Sequence, residues 1–483
     1  MPATTQERGT WSRGQVAGAL LAGALLRTFF VLHPARFAGD TLVYGDLAHN
    51  MLAHHMYGLT ESHVRSTLIR LPGYPLFLAL CFVLFGTGNY LAVIRVQMAV
   101  DLVSCVLLGL LGRRLFGPKV GLAVLWLAAC CPFTANYAAA ALTETLSIFC
   151  VVLVFWAVTE WVTAVRQAQR ATGLAALAGL GLAGAALLRP DGILLAAATL
   201  PSMLWVVLRG GDPKGNRSTR AGRLTGPLLA ALILCSALGL WAGRNWHRFH
   251  VFQPLAPKYA NDPDEVPPLG FARWYRTWAV GFNSTVDVYW TYDGSPLRWG
   301  DLPPRAFDNP AQQRETAALY ARYNDLNAAT PDLDAAFGAL AAQRIRAHPV
   351  RYYVLLPLAK LGDMWLRPRT ELMKLPIDWW RVRAHPGRSM LEIAYAGLNV
   401  VLLGMGAAGW ARWRHARWAG YAPIAGMAAG LVLLRCAMLL TIDNSEPRYT
   451  LECYPVVLLL AGLACAGARF GSVRSCSDEP KSD

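Results

Sequence analysis

Apolar runs of close to 20 residues recur along the 483-residue chain, at roughly 14–33, 91–112, 119–138, 142–160, 172–188, 192–208, 224–243, 389–410, 419–441 and 450–468. An α-helix needs about 20 apolar residues to cross a ~30 Å hydrocarbon layer, and within lipid a helix satisfies its own backbone hydrogen bonds. The runs therefore predict an all-α polytopic membrane protein with about ten transmembrane helices. Charged residues make up 16% of the chain, against about 25% in an ordinary soluble domain. The net charge of +15 is carried by short loops between the runs, where it speaks for membrane orientation rather than for nucleic acid. Most of the ten cysteines lie inside apolar runs, and no disulfide framework or zinc spacing is visible. The first run follows Arg8 and Arg13. It is too long for a typical signal peptide and no small-residue cleavage site follows, so it is expected to be a spanning helix.

Two shorter stretches, 73–86 and 350–366, carry Pro, Arg or Lys and decide the topology. If both lie at the interface, every short inside loop is basic: Arg113, Arg114 and Lys119; Arg166 and Arg170; Arg209, Lys214, Arg217, Arg220 and Arg223; Arg412, Arg414 and Arg417; Arg469 and Arg474. If both cross, the 209–223 cluster falls outside, against the positive-inside rule. The first arrangement is preferred. It puts both termini in the cytoplasm and two long loops, 34–90 and 244–388, on the other face. The expected organisation is an N-terminal transmembrane module at 1–243, an outer loop domain at 244–388, C-terminal transmembrane helices at 389–470 and a cytoplasmic tail at 471–483. The second loop has a helical apolar period over 310–346 and holds Trp274, Trp278, Trp290 and Trp299. An interfacial belt is the commoner role for such tryptophans, with stacking on sugars the alternative. No internal repeat of the kind many transporters show is evident.

A charge at the bilayer centre costs roughly 2.5–3.5 kcal/mol on insertion scales, so intramembrane charges usually have a task. On this topology Arg27, Arg95, Glu144, Arg189, Asp191, Arg244, Arg435, Asp443 and Arg448 all fall near the outer ends of their spans. Snorkelling accounts for any single one, but not for their absence at the inner ends. Asp101 is the exception, near the midplane with Gln97 on the same helix face. A polar floor at one face fits chemistry on a lipid-linked substrate.

The first loop reads Gly39-Asp40-Thr-Leu-Val-Tyr44-Gly-Asp46-Leu-Ala-His49, then Arg70-Leu-Pro72-Gly-Tyr74-Pro75. Asp40 opens a helix-like stretch, where N-capping is its simplest role. It shares a helix face with Tyr44, and Asp46 does not. His49, His54 and His55 lack tight metal-ligand spacing. Arg70 is suited to bidentate phosphate binding.

Taken in order, these segments resemble the C-type glycosyltransferase superfamily, in particular the bacterial relatives of protein O-mannosyltransferases and of lipid A aminoarabinose transferases. The resemblance is carried by Gly39-Asp40-x3-Tyr44-x3-Ala48, Arg70-x-Pro72-Gly-Tyr-Pro75, Leu115-Phe-Gly117, Leu142-Thr-Glu144-Thr, Leu188-Arg189-Pro190-Asp-Gly192, Trp241-x2-Arg244-Asn245 and Glu446-Pro-Arg448-Tyr449. It implies a hexosyl- or pentosyltransferase of the bacterial inner (plasma) membrane. The donor would be a sugar on a polyprenyl phosphate, and the acceptor a hydroxyl of a lipid, glycan or protein, with inversion at the anomeric carbon. It maps the catalytic acid of the first loop onto Asp40 and a second acidic position onto Glu144. Many members carry two adjacent acids in that loop, whereas here Thr41 follows Asp40. Tyr44, Arg70, Tyr74, Arg189, Arg244, Arg448 and Tyr449 are the candidate substrate ligands, with Arg70, Arg244 and Arg448 facing the lipid phosphate. No metal ligands are assigned; the superfamily contains metal-dependent and metal-independent members, so a divalent cation stays open. A transporter or flippase of lipid-linked glycans is the alternative, kept alive by Asp101.

Overall fold

The computed structural model describes residues 11–33, 39–209, 217–292 and 294–466. The expected tail at 471–483, Arg8, Lys214, Arg469 and Arg474, and the side chains of Arg217 and Arg220 lie outside the described residues. The elements run in the order α1 (Arg13–Leu32), α2 (Gly39–Ala53), the antiparallel strands β1 (Gly58–Thr60) and β2 (Val64–Ser66), α3 (Gly73–Phe85), α4 (Tyr90–Phe116), α5 (Pro118–Ala129), α6 (Pro132–Ala138), α7 (Glu144–Arg166), α8 (Thr172–Leu188), α9 (Ile193–Arg209) and α10 (Arg217–Phe249). There follow α11 (Leu269–Tyr275), the short α12 (Phe282–Ser284), α13 (Pro310–Leu326), α14 (Pro331–Ala347), α15 (Leu356–Leu366), α16 (Pro386–His415), α17 (Ala422–Leu439) and α18 (Tyr454–Ala466).

The chain is an all-α polytopic membrane protein. Among the described residues eight helices are long and apolar enough to cross a membrane, and nine if α5 and α6 are one span. Among the described residues each of the ten expected apolar runs is mostly helical, and the shortfall from ten has two local causes. Pro132 follows Cys131 and cannot continue the hydrogen-bond ladder of α5, so α6 leaves at 52°. Arg189-Pro190 ends α8 after 17 residues, because the residue before a proline is driven out of the helical region. The two demoted stretches form α3, of 13 residues, and a π-helical turn, Arg351–Leu355, that runs into the 11 residues of α15. At 1.5 Å per residue both are too short to span.

Small residues let the helices approach. A Cβ on Gly179 of α8 would lie 2.9 Å from the Ala230 backbone of α10, and one on Gly409 of α16 would strike the Leu460 carbonyl of α18. Such contacts are the usual glue between membrane helices. Within the helix bundle, Arg27 of α1 donates to Asp101 of α4 at 2.7 Å and to the Gly23 and Ala129 carbonyls, each at 2.8 Å. Gln97 instead accepts from Tyr74 and donates to the Ala140 carbonyl. Asp101 thus has a structural partner three helices share, and the support it lent a transport path disappears.

The segment between α10 and α16 builds its own aromatic core. Phe271, Trp274, Tyr275 and Trp278 pack with Tyr292, Tyr323, Phe337 and Leu340. Asn309 and Thr330 cap α13 and α14, each with proline at the first helical position, so the helical period at 310–346 becomes a two-helix unit. Trp274 and Trp278 are buried in this core. They belong neither to an interfacial belt nor to a stacking platform, because indole rings fill a core as readily as they line a headgroup layer. Trp290 and Trp299 remain exposed.

Candidate active site

Four distant pieces of chain bring carboxylates and guanidiniums together: the first turn of α2, the stretch before α3, the start of α7, and the turn entering α18. Asp40 sits in the first turn of α2, and its two carboxylate oxygens take different arginines. Oδ1 accepts from Arg70 Nη2 at 3.0 Å, and Oδ2 faces Arg448 Nη1 at 3.0 Å. Burial alone would push the Asp40 carboxyl up, but Arg448 and Arg70 outweigh it and hold it below the ordinary carboxylate range. Its side chain keeps 22% of its accessibility and Arg70 24%, so the pair is reachable.

Arg70 is carried by a braced loop. Tyr57 donates through its hydroxyl to the Arg70 carbonyl at 3.0 Å, and the Leu68 amide donates to Asp262 at 2.9 Å. Asp46 accepts from the amide and hydroxyl of Thr60, so it supports β1 and stays out of the cluster. Tyr44 shares the Asp40 face, and its ring meets Tyr74 edge-on at 5.1 Å. Burial, reinforced by Asp40, raises the Tyr44 phenol to about 12, which leaves it a neutral hydrogen-bond donor. Tyr74 is fully buried and its hydroxyl is spent on Gln97 at 2.6 Å.

On the other side, Arg448 also reaches Glu144 at 3.7 Å and pairs through Nε with Glu446. Glu446 is fixed in turn by the Tyr449 hydroxyl at 2.6 Å and Asn444 at 2.8 Å. The Arg189 guanidinium pairs with Glu144 at 2.9 Å, with Asp191 at 3.2 Å and with Glu452 at 3.2 Å. Arg435 closes the network onto Asp191 and Glu452. Tyr449 lies beneath both Arg189 and Arg448.

Of the expected residues, Asp40, Tyr44, Arg70, Glu144, Arg189, Arg448 and Tyr449 come together. Arg244 does not. Its guanidinium donates to the Tyr57 and Thr67 carbonyls, each at 2.8 Å, and to Asn245, and lies over the rings of Tyr57, Trp241 and Phe249. It staples the first loop to α10. Arg27 is committed to Asp101 and Arg95 is exposed, so the expected single layer of charges narrows to the network above. Glu446, expected only as the first residue of the Glu446-Pro-Arg448-Tyr449 motif, and Glu452, absent from the expected site residues, both join the network. The signal was present: a carboxylate within a membrane span is a functional candidate by default, and Glu452 stands one helical turn after Arg448. Among the described residues no group of three or more His, Cys, Asp or Glu could hold a metal ion.

Residues 70–241, a little over a third of the chain, match the family model of dolichyl-phosphate-mannose-protein mannosyltransferases. This is a family of the kind that the motifs resemble. No curated protein matches the chain in sequence. Among solved structures it is similar to the Archaeoglobus fulgidus oligosaccharyltransferase tethered with an acceptor peptide, at 12% identity and a TM-score of 0.49, with 94% of this chain and 49% of that chain covered. It is also similar to ArnT from Cupriavidus metallidurans bound to undecaprenyl phosphate, at 14% identity and a TM-score of 0.38, covering 94% and 78%. The chain spans about half the length of the oligosaccharyltransferase.

Proposed function

We propose that the protein is a membrane glycosyltransferase that moves a sugar from a polyprenyl-phosphate donor to a hydroxyl acceptor on the extracytoplasmic face, with inversion. The observation that carries this reading is one carboxylate, Asp40, held between Arg70 and Arg448 with Glu144 alongside. The family match over 70–241 supports it. The basic short loops support the assignment of sides, with both termini cytoplasmic and the site at the outer surface.

The acceptor oxygen attacks the anomeric carbon from the face opposite the phosphate. The new C–O bond forms as the carbon–phosphate oxygen bond breaks, the electron pair leaves on the phosphate, and the acceptor proton passes to Asp40. The leaving phosphate is already ionised, so it needs positive charge more than a proton. Arg70 and Arg448 supply that charge, and in doing so they must release Asp40. A guanidinium bound to phosphate no longer neutralises the carboxylate, and a base within about 2.6–3.2 Å of the acceptor proton can then act. Glu144, steadied by Arg189, orients the acceptor or the donor sugar. α3 lies beside the site, with Leu76, Leu80, Val83 and Leu84 exposed as a surface for the prenyl chain.

The test is transfer by the purified protein in liposomes, with radiolabelled polyprenyl-phosphate sugars as donors and extracted envelope lipids, glycans and proteins as acceptors. Labelled product of inverted anomeric configuration is the expected result. Consumption of no donor across hexosyl and pentosyl lipids would sink the reading. Movement of intact donor across the bilayer without transfer would replace it with the transport alternative.

A further inference from the structure

A second ionic cluster stands apart from Asp40, where the segment after α10, the end of α11 and α15 meet the turn after α17. Asp443 is buried there, and three cations converge on this residue, two on its carboxylate and one on its backbone carbonyl. Lys258 Nζ lies 3.4 Å from its Oδ2, Arg276 Nη1 lies 3.3 Å from its Oδ1, and Lys360 Nζ donates to its backbone carbonyl at 2.8 Å. Lys258 is half exposed and Arg276 is 23% exposed, so the cluster opens to solvent on one side. Lys360 is 3% exposed.

A staple that ties the outer segment to the turn needs one cation for one carboxylate. Here two cations face one carboxylate and a third, Lys360, is held only by a backbone carbonyl. Lys258 also donates to the Tyr259 hydroxyl at 3.1 Å, and the two carboxylate pairs are longer than the about 2.7–2.9 Å of a closed charge-assisted bond. Burying an ammonium without a full countercharge is costly, so the excess positive charge is stabilised best by an incoming anion. Asp363, on the same helix as Lys360, is turned away to the Phe282 amide and the Ser445 hydroxyl. The turn that carries Asp443 also carries Glu446 and Arg448. Five residues of chain separate Asp443 from Arg448, at most ~18 Å. Tyr289 lies within electrostatic reach of both Asp443 and Glu446.

We propose that Lys258, Arg276 and Lys360 form a second oxyanion site, separate from Arg70 and Arg448, that takes a phosphate-type group of a substrate. A phosphate on the acceptor and the phosphate of the lipid donor are its two sources. The site does not require that sugar transfer take place, so its binding test stands or falls independently of the transfer reading.

Lys360 gives the site a signature. Burial, with Arg276 beside it, brings its ammonium down to about 7 against the pull of Asp443, and Lys258 adds to the lowering. The charged groups facing it are Arg276, Lys258 and Asp443, with the Tyr275 ring nearby. An anion binds the charged form, so affinity is full below that value and weakens as pH rises above it, by at most about tenfold per pH unit.

The experiment is calorimetric titration of the full-length protein in detergent micelles with sulfate, whose charge is constant between pH 6 and 9. The wild type should bind sulfate at this site tightest at pH 6, with weakening above pH 7. Lys258→Gln changes a half-exposed side chain and should weaken binding at least threefold. Arg276→Gln should weaken it at least tenfold, and Arg70→Gln should leave it unchanged. Displacement of sulfate by glycerol 3-phosphate but not by citronellyl phosphate assigns the site to an acceptor. Displacement by citronellyl phosphate assigns it to the lipid donor. Sulfate binding that is absent, or insensitive both to pH and to Lys258→Gln and Arg276→Gln, overturns the proposal.

Discussion

Arg27 with Asp101, and Arg70 and Arg448 with Asp40, are the same chemical pairing in two settings. Side-chain exposure of Arg27 and Asp101 is 0% and 3%, and the Arg27 guanidinium has further bonds to two carbonyls. Nothing can reach it without opening three helices. Asp40 and Arg70 keep 22% and 24% of their exposure, and Asp40 is shared between two arginines. A closed pair holds helices in register, because an isolated charge in its place would be prohibitive. An open pair with an exchangeable partner can trade one anion for another. The difference separates architecture from chemistry where residue type alone does not.

The sharpest way to break this comparison is to neutralise each aspartate. Asp40→Asn should lower sugar transfer by about 10²–10⁴-fold, the usual range for a general base, with little change in thermal midpoint. Transfer within threefold of wild type would remove Asp40 from the base role. Asp101→Asn should show the inverse pattern. It leaves Arg27 uncompensated and should cost about 3–5 kcal/mol of stability, read as a lower unfolding midpoint in detergent, with transfer per folded molecule retained. Replacing both partners, Arg27→Met with Asp101→Leu, should recover most of that loss. A double variant no more stable than Asp101→Asn would contradict a purely structural role.

A smaller effect separates the arginines. Arg70→Gln and Arg448→Gln should each weaken binding of a polyprenyl phosphate by about 10–100-fold, the ~1.5–3 kcal/mol of a hydrogen bond to a charged group. Arg244→Gln removes a guanidinium whose bonds go to loop carbonyls. It should lower the melting temperature more than it changes lipid affinity. If Arg244→Gln weakens polyprenyl-phosphate binding as much as Arg70→Gln does, the staple assignment is wrong.

Much of this was legible in residue order. Length and hydropathy located the apolar helices, and the basic short loops, through the positive-inside rule, demoted the stretches that form α3 and α15. Glu144, Arg189 and Arg448 stood out because charges are rare in spans, Asp40 and Arg70 because they lie in the motifs of the first loop, and the structure brings the five side chains together. What failed has a common physical cause. The partners of Arg244, the carbonyls of Tyr57 and Thr67, lie 187 and 177 residues away and carry no side-chain signature. Trp274 and Trp278 have the same composition signal in a core as at an interface. Asp101 looked anomalous and Arg27 was counted with the outer-end charges, and only packing of α1 against α4 made them one feature.

The smallest predicted effect concerns pH and tests the exchange directly. In the free protein Arg448 and Arg70 hold Asp40 below the ordinary carboxylate range, overcoming burial that acts the other way. A depressed carboxyl stabilises the fold above its unfolded value, and that contribution is lost only as pH falls through the folded value. The acid limb of kcat/KM, which reports the free enzyme, should therefore lie below the ordinary carboxylate range. Once donor phosphate takes the arginines, burial is left unopposed and the Asp40 carboxyl rises. The acid limb of kcat, which reports the loaded enzyme, should then sit at higher pH than that of kcat/KM. Coincident limbs would mean that the arginines never leave Asp40, and a base so restrained could not be the one that accepts the acceptor proton.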